Sequence, residues 1–363
     1  MSALAVENKA INLSQGFPDF PADPKLLALV EEGMAKGLNQ YSPSSGLPAL
    51  RSRIADLTKE AYDADFDQES EITVTSGATE ALFCAIAATI KEGDEVIVFE
   101  PCYDSYVPVI ELFGGIPIYV TLDFPDYKIN WESVKKRVNS STRMIILNSP
   151  HNPTGSTLSA EDIEELSKIV QANPIVILSD EVYEHIIFDG ETHQSIARYP
   201  KLVNRSFIIS SFGKTFHATG WKIGYCLAPA HLTKEFRKIH QYVTFSSSTP
   251  FQYAISEYLK DTKHVFDLKH YYQKKRDYFL ELMADSNFEP LPSSGSYFQL
   301  MRYNGISEMG DVEFAKWLTI EKGVATIPIS VFYRTGEDNK VLRFCIAKEN
   351  ETLEKAVAIL REL

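Results

Sequence analysis

The stretch Phe207-Ile208-Ile209-Ser210-Ser211-Phe212-Gly213-Lys214-Thr215-Phe216 sets one lysine directly after an apolar, strand-like run. An amine at the end of a buried strand is partly desolvated, which lowers its pKa and frees it to form an imine with an aldehyde. Gly213-Lys214-Thr215 is also how a phosphate-binding P-loop ends. That loop needs another glycine five residues before Gly213, where Ile208 stands, so the P-loop reading fails. Alone, the tripeptide reads as a surface loop carrying a solvated lysine; the rest of the chain argues otherwise.

The run that precedes Lys214 is one of a series. Short apolar runs bounded by turn residues lie at 72–74, 96–99, 116–120, 144–147, 175–178, 207–209 and 223–227, and read as strands buried on both faces. Helical spacing fills 81–90, 106–113 and 160–171, the last opened by Ser159 with Asp162 three residues on, a capping-box pattern. Strands alternating with helices predict a mostly parallel α/β sheet of seven strands, flanked by helices, with ligands collected at the carboxyl ends of the strands.

Ahead of this region, 11–21 carries two prolines and reads as an extended arm. Helices are expected over 24–36, with Leu26, Leu27, Leu29 and Val30 as the apolar face, and over 48–61, separated by the breaker Tyr41-Ser42-Pro43-Ser44-Ser45-Gly46. Beyond 228 the alternation fades into long helical segments at 233–245 and 250–283. A smaller α+β unit follows, with strands at 297–301, 324–327 and 341–347, a helix over 312–322 and a terminal helix from 351. The expected division is an arm over 1–26, a large α/β domain over 27–258 and a small α+β domain over 259–363.

Composition narrows the class. The chain has 363 residues, 44% hydrophobic and 23% charged, with a formal net charge of -13 that opposes nucleic acid or an anionic membrane surface as a partner. Cys84, Cys102, Cys226 and Cys345 are far apart, with no Cys-x-x-Cys pair, and read as reduced, buried thiols. No opening signal and no apolar run of bilayer-spanning length stand in the sequence, so a cytoplasmic protein is expected.

Polar clusters fall at the ends of the strand-like runs. Thr75-Ser76-Gly77-Ala78-Thr79 is a small-residue turn opening a helix, whose backbone N–H groups suit a phosphate. Asp180 and Glu181 resemble the acidic strand end of nucleotide hydrolases, which again lacks its P-loop here. The alternative sets Asp180 against a cationic ring nitrogen, with Tyr183 offering a phenol to an oxygen of the same ring. Asn152 sits in a proline-fixed loop, where His151 reads as a loop residue. Lys222 adds a second cation, and Arg343 stands in an otherwise apolar strand, where a carboxylate would match its fork.

Taken together, over nearly the whole chain, Asn152-Pro153-Thr154-Gly155, Asp180-x-x-Tyr183, Ser211-x-x-Lys214 and Lys222 resemble the class I/II group of fold-type I, pyridoxal-phosphate-dependent aminotransferases. Ser14-Gln15-Gly16-Phe17-Pro18, the segment Ile327 to Tyr333 and Leu342-Arg343-Phe344 are similar to its methionine, glutamine and kynurenine aminotransferase branch. The resemblance implies the cofactor pyridoxal 5'-phosphate, bound covalently by Lys214, which then carries the substrate's α-proton. It implies that Asp180 keeps the ring nitrogen protonated and that Tyr183 and Asn152 bond the ring oxygen, with Tyr103 stacked on the ring. Gly77, Ala78, Thr79, Ser211 and Lys222 would hold the phosphate.

By the same resemblance, Tyr41 would reach the phosphate of a second subunit in a homodimer, and Arg343 would take the substrate carboxylate with help from Asn152 and the Gly16 backbone. Lys222 departs from the arginine of many relatives, keeping the charge without the fork. The chain starts about fifteen residues before Gly16, where relatives have a longer arm; Met1 is then either internal to a longer protein or the start of a short arm. Phe17, Tyr41, Tyr103, Phe245 and Phe332 imply an aromatic-lined pocket, so methionine or an aromatic amino acid is the expected donor and a 2-oxo acid the acceptor. Two alternatives stand beside transamination: β-elimination from cysteine conjugates on the same scaffold, and a sensor module that binds the cofactor without turnover.

Overall fold

A computed structural model describes residues 1–363. After an opening helix over Ser2–Glu7, the chain forms the two-residue strand β1 (Ile11–Asn12), then β2 (Ile72–Thr75), β3 (Glu95–Glu100), β4 (Ile116–Thr121), β5 (Thr142–Asn148), β6 (Val176–Asp180), β7 (Ser206–Ser211) and β8 (Gly224–Leu227). Strands β2 to β8 build a seven-stranded sheet in the order β2-β8-β7-β6-β5-β3-β4. Only β8 runs against the others, pairing antiparallel with both β2 and β7. The expected mostly parallel sheet is therefore present, with all seven runs as strands.

Burial on both faces holds for the central strands but not for the edge. In β4, Ile116 is 48% exposed, because an edge strand is covered by fewer neighbours. The helix Pro24–Ala35 buries Leu26, Val30 and Gly33, positions i, i+4 and i+7, and leaves Leu27 exposed, so Leu27 is off the face assigned to it from sequence.

The C-terminal part adds β9 (Glu289–Pro290), β10 (Phe298–Arg302), β11 (Val324–Ala325), β12 (Ile327–Pro328) and β13 (Val341–Cys345). Four of these form an antiparallel sheet in the order β12-β13-β10-β9, while β11 pairs in parallel with β1. The single strand expected over 324–327 is thus two, which pass from one sheet to another across Thr326. Leu13 joins an apolar cluster built mostly from Leu268 to Leu360, so the arm is packed onto the C-terminal part.

One long helical segment over 250–283 was expected, and three helices stand there: Thr249–Tyr258, Lys263–Phe266 and Leu268–Met283. The break falls where the Asp261 carboxylate accepts from the Lys263 backbone N–H at 3.2 Å, offering the chain a turn in place of a helical bond. Neither glycine nor proline marks the spot, so the apolar periodicity runs through it unbroken. The Ser159–Asp162 capping box is present as expected. All four cysteines are free and buried. No helix is long and apolar enough to cross a membrane.

Candidate active site

Three parallel strands end side by side. Asn148 at the end of β5 pairs with Asp180 at the end of β6, and Asp180 pairs with Ile209 of β7, two residues before Ser211. Ser211 and Thr75 both pair with Gly224 from opposite sides, which brings the turn after β2 to the same edge. The helix after that turn starts at Gly77, four residues earlier than the sequence reading, so its first turn faces the strand ends. A cavity of about 160 Å³ lies there.

Gly77, Ala78, Thr79, Ser211 and Lys222 line this cavity together with Tyr103, Asn152, Asp180, Tyr183 and Lys214. Gly77 has φ +75°, and a Cβ added to it would stand 3.1 Å from Lys222 Cε and 3.2 Å from Lys222 Nζ, so the ammonium lies directly over its backbone. Open helix N–H groups, a serine hydroxyl and an exposed ammonium together form a donor set suited to a phosphate.

Asp180 points into the cavity, almost fully buried, and burial raises its carboxyl to about 6. The Tyr106 hydroxyl opposes that shift by donating to Asp180 Oδ2 at 2.5 Å, and the Val182 N–H donates to Oδ1 at 3.4 Å. A bare carboxylate held there is costly unless a cation faces it. Glu181 turns the other way. Its carboxylate is fully enclosed by Ser179 at 2.7 Å, His193 at 2.8 Å and the Ile196 N–H at 3.1 Å. Adjacent strand residues point to opposite faces, so these two carboxylates do not form a joint metal site.

Lys214 sits on the short helix Phe212–Thr215 that follows β7, where the Ser211 side chain accepts from the Gly213 N–H. Burial pushes its amine down to about 8, and the nearby Arg343 and Lys222 cations push the same way. Its Nζ donates to the Tyr297 hydroxyl at 2.8 Å and to the Gly16 carbonyl at 3.1 Å. Arg343 is 8% exposed, donates to Asn152 Oδ1 at 2.6 Å and to the Ser14 carbonyl at 3.3 Å, and lies 4.0 Å from the Phe298 ring centroid and 5.3 Å from that of Phe332. Its Nε is buried with no partner, so the fork keeps an unused donor.

The remaining sequence candidates lie outside the cavity. Phe17 is 42% exposed with its ring near Lys348, and Tyr41 is 83% exposed, edge-on to Phe245 at 5.3 Å. Within one chain, the aromatic lining expected from sequence is thus reduced to Tyr103 at the cavity and Phe332 at the arginine. His151 is buried against Thr154 Oγ1 at 2.7 Å, and burial lowers its pKa to about 3, which fits its reading as a loop residue. Sequence reasoning missed Tyr106 and Tyr297. Tyr106 follows Tyr103 by three residues on the same short stretch, the one signal available for it; nothing local marks Tyr297.

An enclosed amine near neutrality, a phosphate cradle and a buried carboxylate awaiting a cation fit a phosphorylated aldehyde with a protonated ring, with a carboxylate-binding arginine beside it. The family profile described as aminotransferase class I and II matches residues 8–360. The chain is 46% identical over 364 residues to the methionine aminotransferase of Escherichia coli strain K12, covering 100% of this chain and 94% of that protein. It is 36% identical to a kynurenine–oxoglutarate transaminase of Dictyostelium discoideum, covering 98% and 91%. A solved Escherichia coli structure with an identified methionine aminotransferase function matches at TM-score 0.98 and 45% identity, covering 100% of this chain and 95% of that one. The N-succinyldiaminopimelate aminotransferase structure from Mycobacterium tuberculosis matches at TM-score 0.96 and 36% identity, covering 100% and 95%.

Proposed function

The chain belongs to the class I and II aminotransferases, pyridoxal-phosphate-dependent enzymes, and from that premise we propose that it moves the amino group of methionine, or of another apolar or aromatic amino acid, to a 2-oxo acid. The observation that carries the donor class is what stands against Arg343. Two aromatic rings, Phe298 and Phe332, flank the guanidinium. A substrate whose α-carboxylate pairs with Arg343 therefore extends its side chain along apolar surface, which suits a thioether or a ring better than a second carboxylate.

When bound, pyridoxal phosphate supplies an aldehyde that captures amines and a ring that accepts the electrons left as the α-proton departs. Gly77, Ala78, Thr79, Ser211 and Lys222 would hold its phosphate, and Asp180 would keep the ring nitrogen protonated. Tyr183 and Asn152 would serve its ring oxygen, and Tyr103 would stack on the ring. Lys214, whose amine burial brings down to about 8, would take and return the α-proton. Arg343, Asn152 and the Gly16 backbone orient the substrate, with Phe17 closing over it. The division into an arm over 1–26, a large unit over 27–258 and a small unit over 259–363 is supported by the separate apolar cluster that Leu13 shares with the C-terminal part.

A homodimer completes this reading, with Tyr41 reaching the neighbouring phosphate. Tyr41, Tyr242, Val243 and Phe245 are 83%, 85%, 49% and 45% exposed, and the Tyr41 loop is tied to the 244–249 segment by Ser42–Ser246 at 2.8 Å and Thr249–Gln40 at 2.6 Å. Exposed rings grouped on a fixed loop are a surface in want of a partner.

The test is visible absorbance of the purified enzyme before and after methionine, with Lys214→Ala beside it. Conversion of the cofactor band to the amine form in the wild type, and none in the variant, is expected. Pyruvate and ammonia released from a cysteine thioether, with no conversion by methionine, would replace transamination by β-elimination.

A further inference from the structure

Tyr297 immediately precedes β10 and is 0% exposed. Its ring is held edge-on by Tyr183 at 5.1 Å and Phe298 at 5.0 Å, and tilted against Tyr272 at 5.7 Å, and its hydroxyl lies beside that of Tyr183. It donates to the Gly16 carbonyl at 2.5 Å. A phenol has a single proton, and a carbonyl only accepts, so the direction of this bond is fixed. What remains on the Tyr297 oxygen is acceptor capacity, and Lys214 Nζ uses it at 2.8 Å while also reaching the Gly16 carbonyl at 3.1 Å.

These three groups close a triangle of hydrogen bonds. A neutral amine carries two N–H bonds and one lone pair, set tetrahedrally around nitrogen. If the Tyr297 oxygen and the Gly16 carbonyl take the two hydrogens, the lone pair points away from both. Nor can the phenol donate to that lone pair, because its own proton is engaged. We propose that Tyr297, together with the Gly16 carbonyl, is the positioning group for the free Lys214 amine, fixing its lone pair for proton transfer and tying that readiness to the seating of the Gly16 arm.

This role rests on Lys214 being the base, as proposed above, and adds how the base is aimed. The arm belongs to the triangle because Gly16 is pressed against the β10 start: a Cβ added there would fall 2.8 Å from Phe298 Cζ. A displaced arm removes one acceptor and frees the Tyr297 proton, which is then able to occupy the lysine lone pair and silence it.

Tyr297→Phe keeps the ring and deletes only the oxygen. In the cofactor-free protein, labelling of Lys214 by an amine-reactive reagent is followed against pH by peptide mass spectrometry. Losing an acceptor that favours the ammonium should lower the labelling midpoint by about one pH unit. In the holoenzyme, exchange of the methionine α-proton should slow by roughly tenfold or more with KM little changed, the mark of an interaction used in the proton-transfer step. Tyr272→Phe is the control, since the Tyr272 hydroxyl has no partner and its loss should move neither readout. An unchanged labelling midpoint and unchanged exchange in Tyr297→Phe would overturn the positioning role. Borohydride fixation of the holoenzyme separates this from the larger reading: cofactor fixed on a lysine other than Lys214 overturns both, and cofactor fixed on Lys214 leaves the larger reading intact whatever Tyr297 does.

Discussion

At the scale of single residues, the site works by burying groups that would rather be charged and then supplying partners for them. Asp180 illustrates the balance. Burial raises its carboxyl to about 6, and the Tyr106 hydroxyl pulls the other way. Removing that donor in Tyr106→Phe should push the carboxyl up further and weaken its hold on a ring N–H. A hydrogen bond to a charged group is worth about 2 kcal/mol, so pyridoxal phosphate affinity of the apoenzyme should fall by roughly tenfold or more. The sign of the pH dependence follows. At pH 8 the carboxyl is ionised with or without Tyr106, whereas near pH 6 the variant is more protonated, so the deficit in a spectroscopic titration should be larger at pH 6. A deficit equal at both values would mean that Tyr106 acts through packing. Tyr106 was not legible in the sequence because a tyrosine three residues from another carries no mark of a bond to a carboxylate 74 positions away.

At the scale of elements, a buried ion pair joins the phosphate turn to two neighbouring segments. His240, on the helix Ala230–Val243, places Nδ1 2.9 Å from Glu80 Oε1 on the helix Gly77–Thr89, and Nε2 2.7 Å from the Ser44 carbonyl in the Tyr41 loop. Glu80 also accepts from the Ser76 N–H and from the Cys84 thiol, both at 2.9 Å. Burial and Arg237 oppose protonation of His240, but Glu80 and the Ser44 carbonyl outweigh them and raise its pKa. A histidine whose folded pKa is raised adds stability that is full below its unfolded value of about 6.5 and is lost as pH rises through the folded value. His240→Gln should therefore cost on the order of 3 kcal/mol at pH 6, as for a broken buried pair, and clearly less at pH 9. Thermal unfolding of both proteins across that range is the measurement, and a pH-independent difference would leave only the packing of the ring. The helices themselves were readable from their apolar spacing and caps. Their pairing was not, because Glu80 and His240 are 160 residues apart.

At the scale of the whole molecule, the proposed shared site makes activity a property of two chains. Lys214→Ala and Tyr41→Ala each damage both sites of a homodimer. In a mixed dimer, one site regains Lys214 from one chain and Tyr41 from the other. Co-refolding the two variants should restore activity well above either alone, and recovery no greater than the sum of the two would remove Tyr41 from the neighbouring site. The sequence by itself determined the strand-and-helix alternation, the seven strands and the ordered motif set, because each rests on local periodicity, turn chemistry or a short spacing. It also singled out Lys214, Asp180 and Arg343 as candidates from residue type and place on a strand, and the family resemblance implied their roles. Only the tertiary structure decided that β8 runs against the sheet, that Glu181 faces the core while Asp180 faces the cavity, and that Tyr41 and Phe245 turn outward from their own chain. It alone brought Tyr106 to Asp180 and Tyr297 to Lys214. These outcomes depend on contacts between residues far apart in the chain, whose energies arise when the sheets and helices pack and leave no trace in the spacing of neighbours.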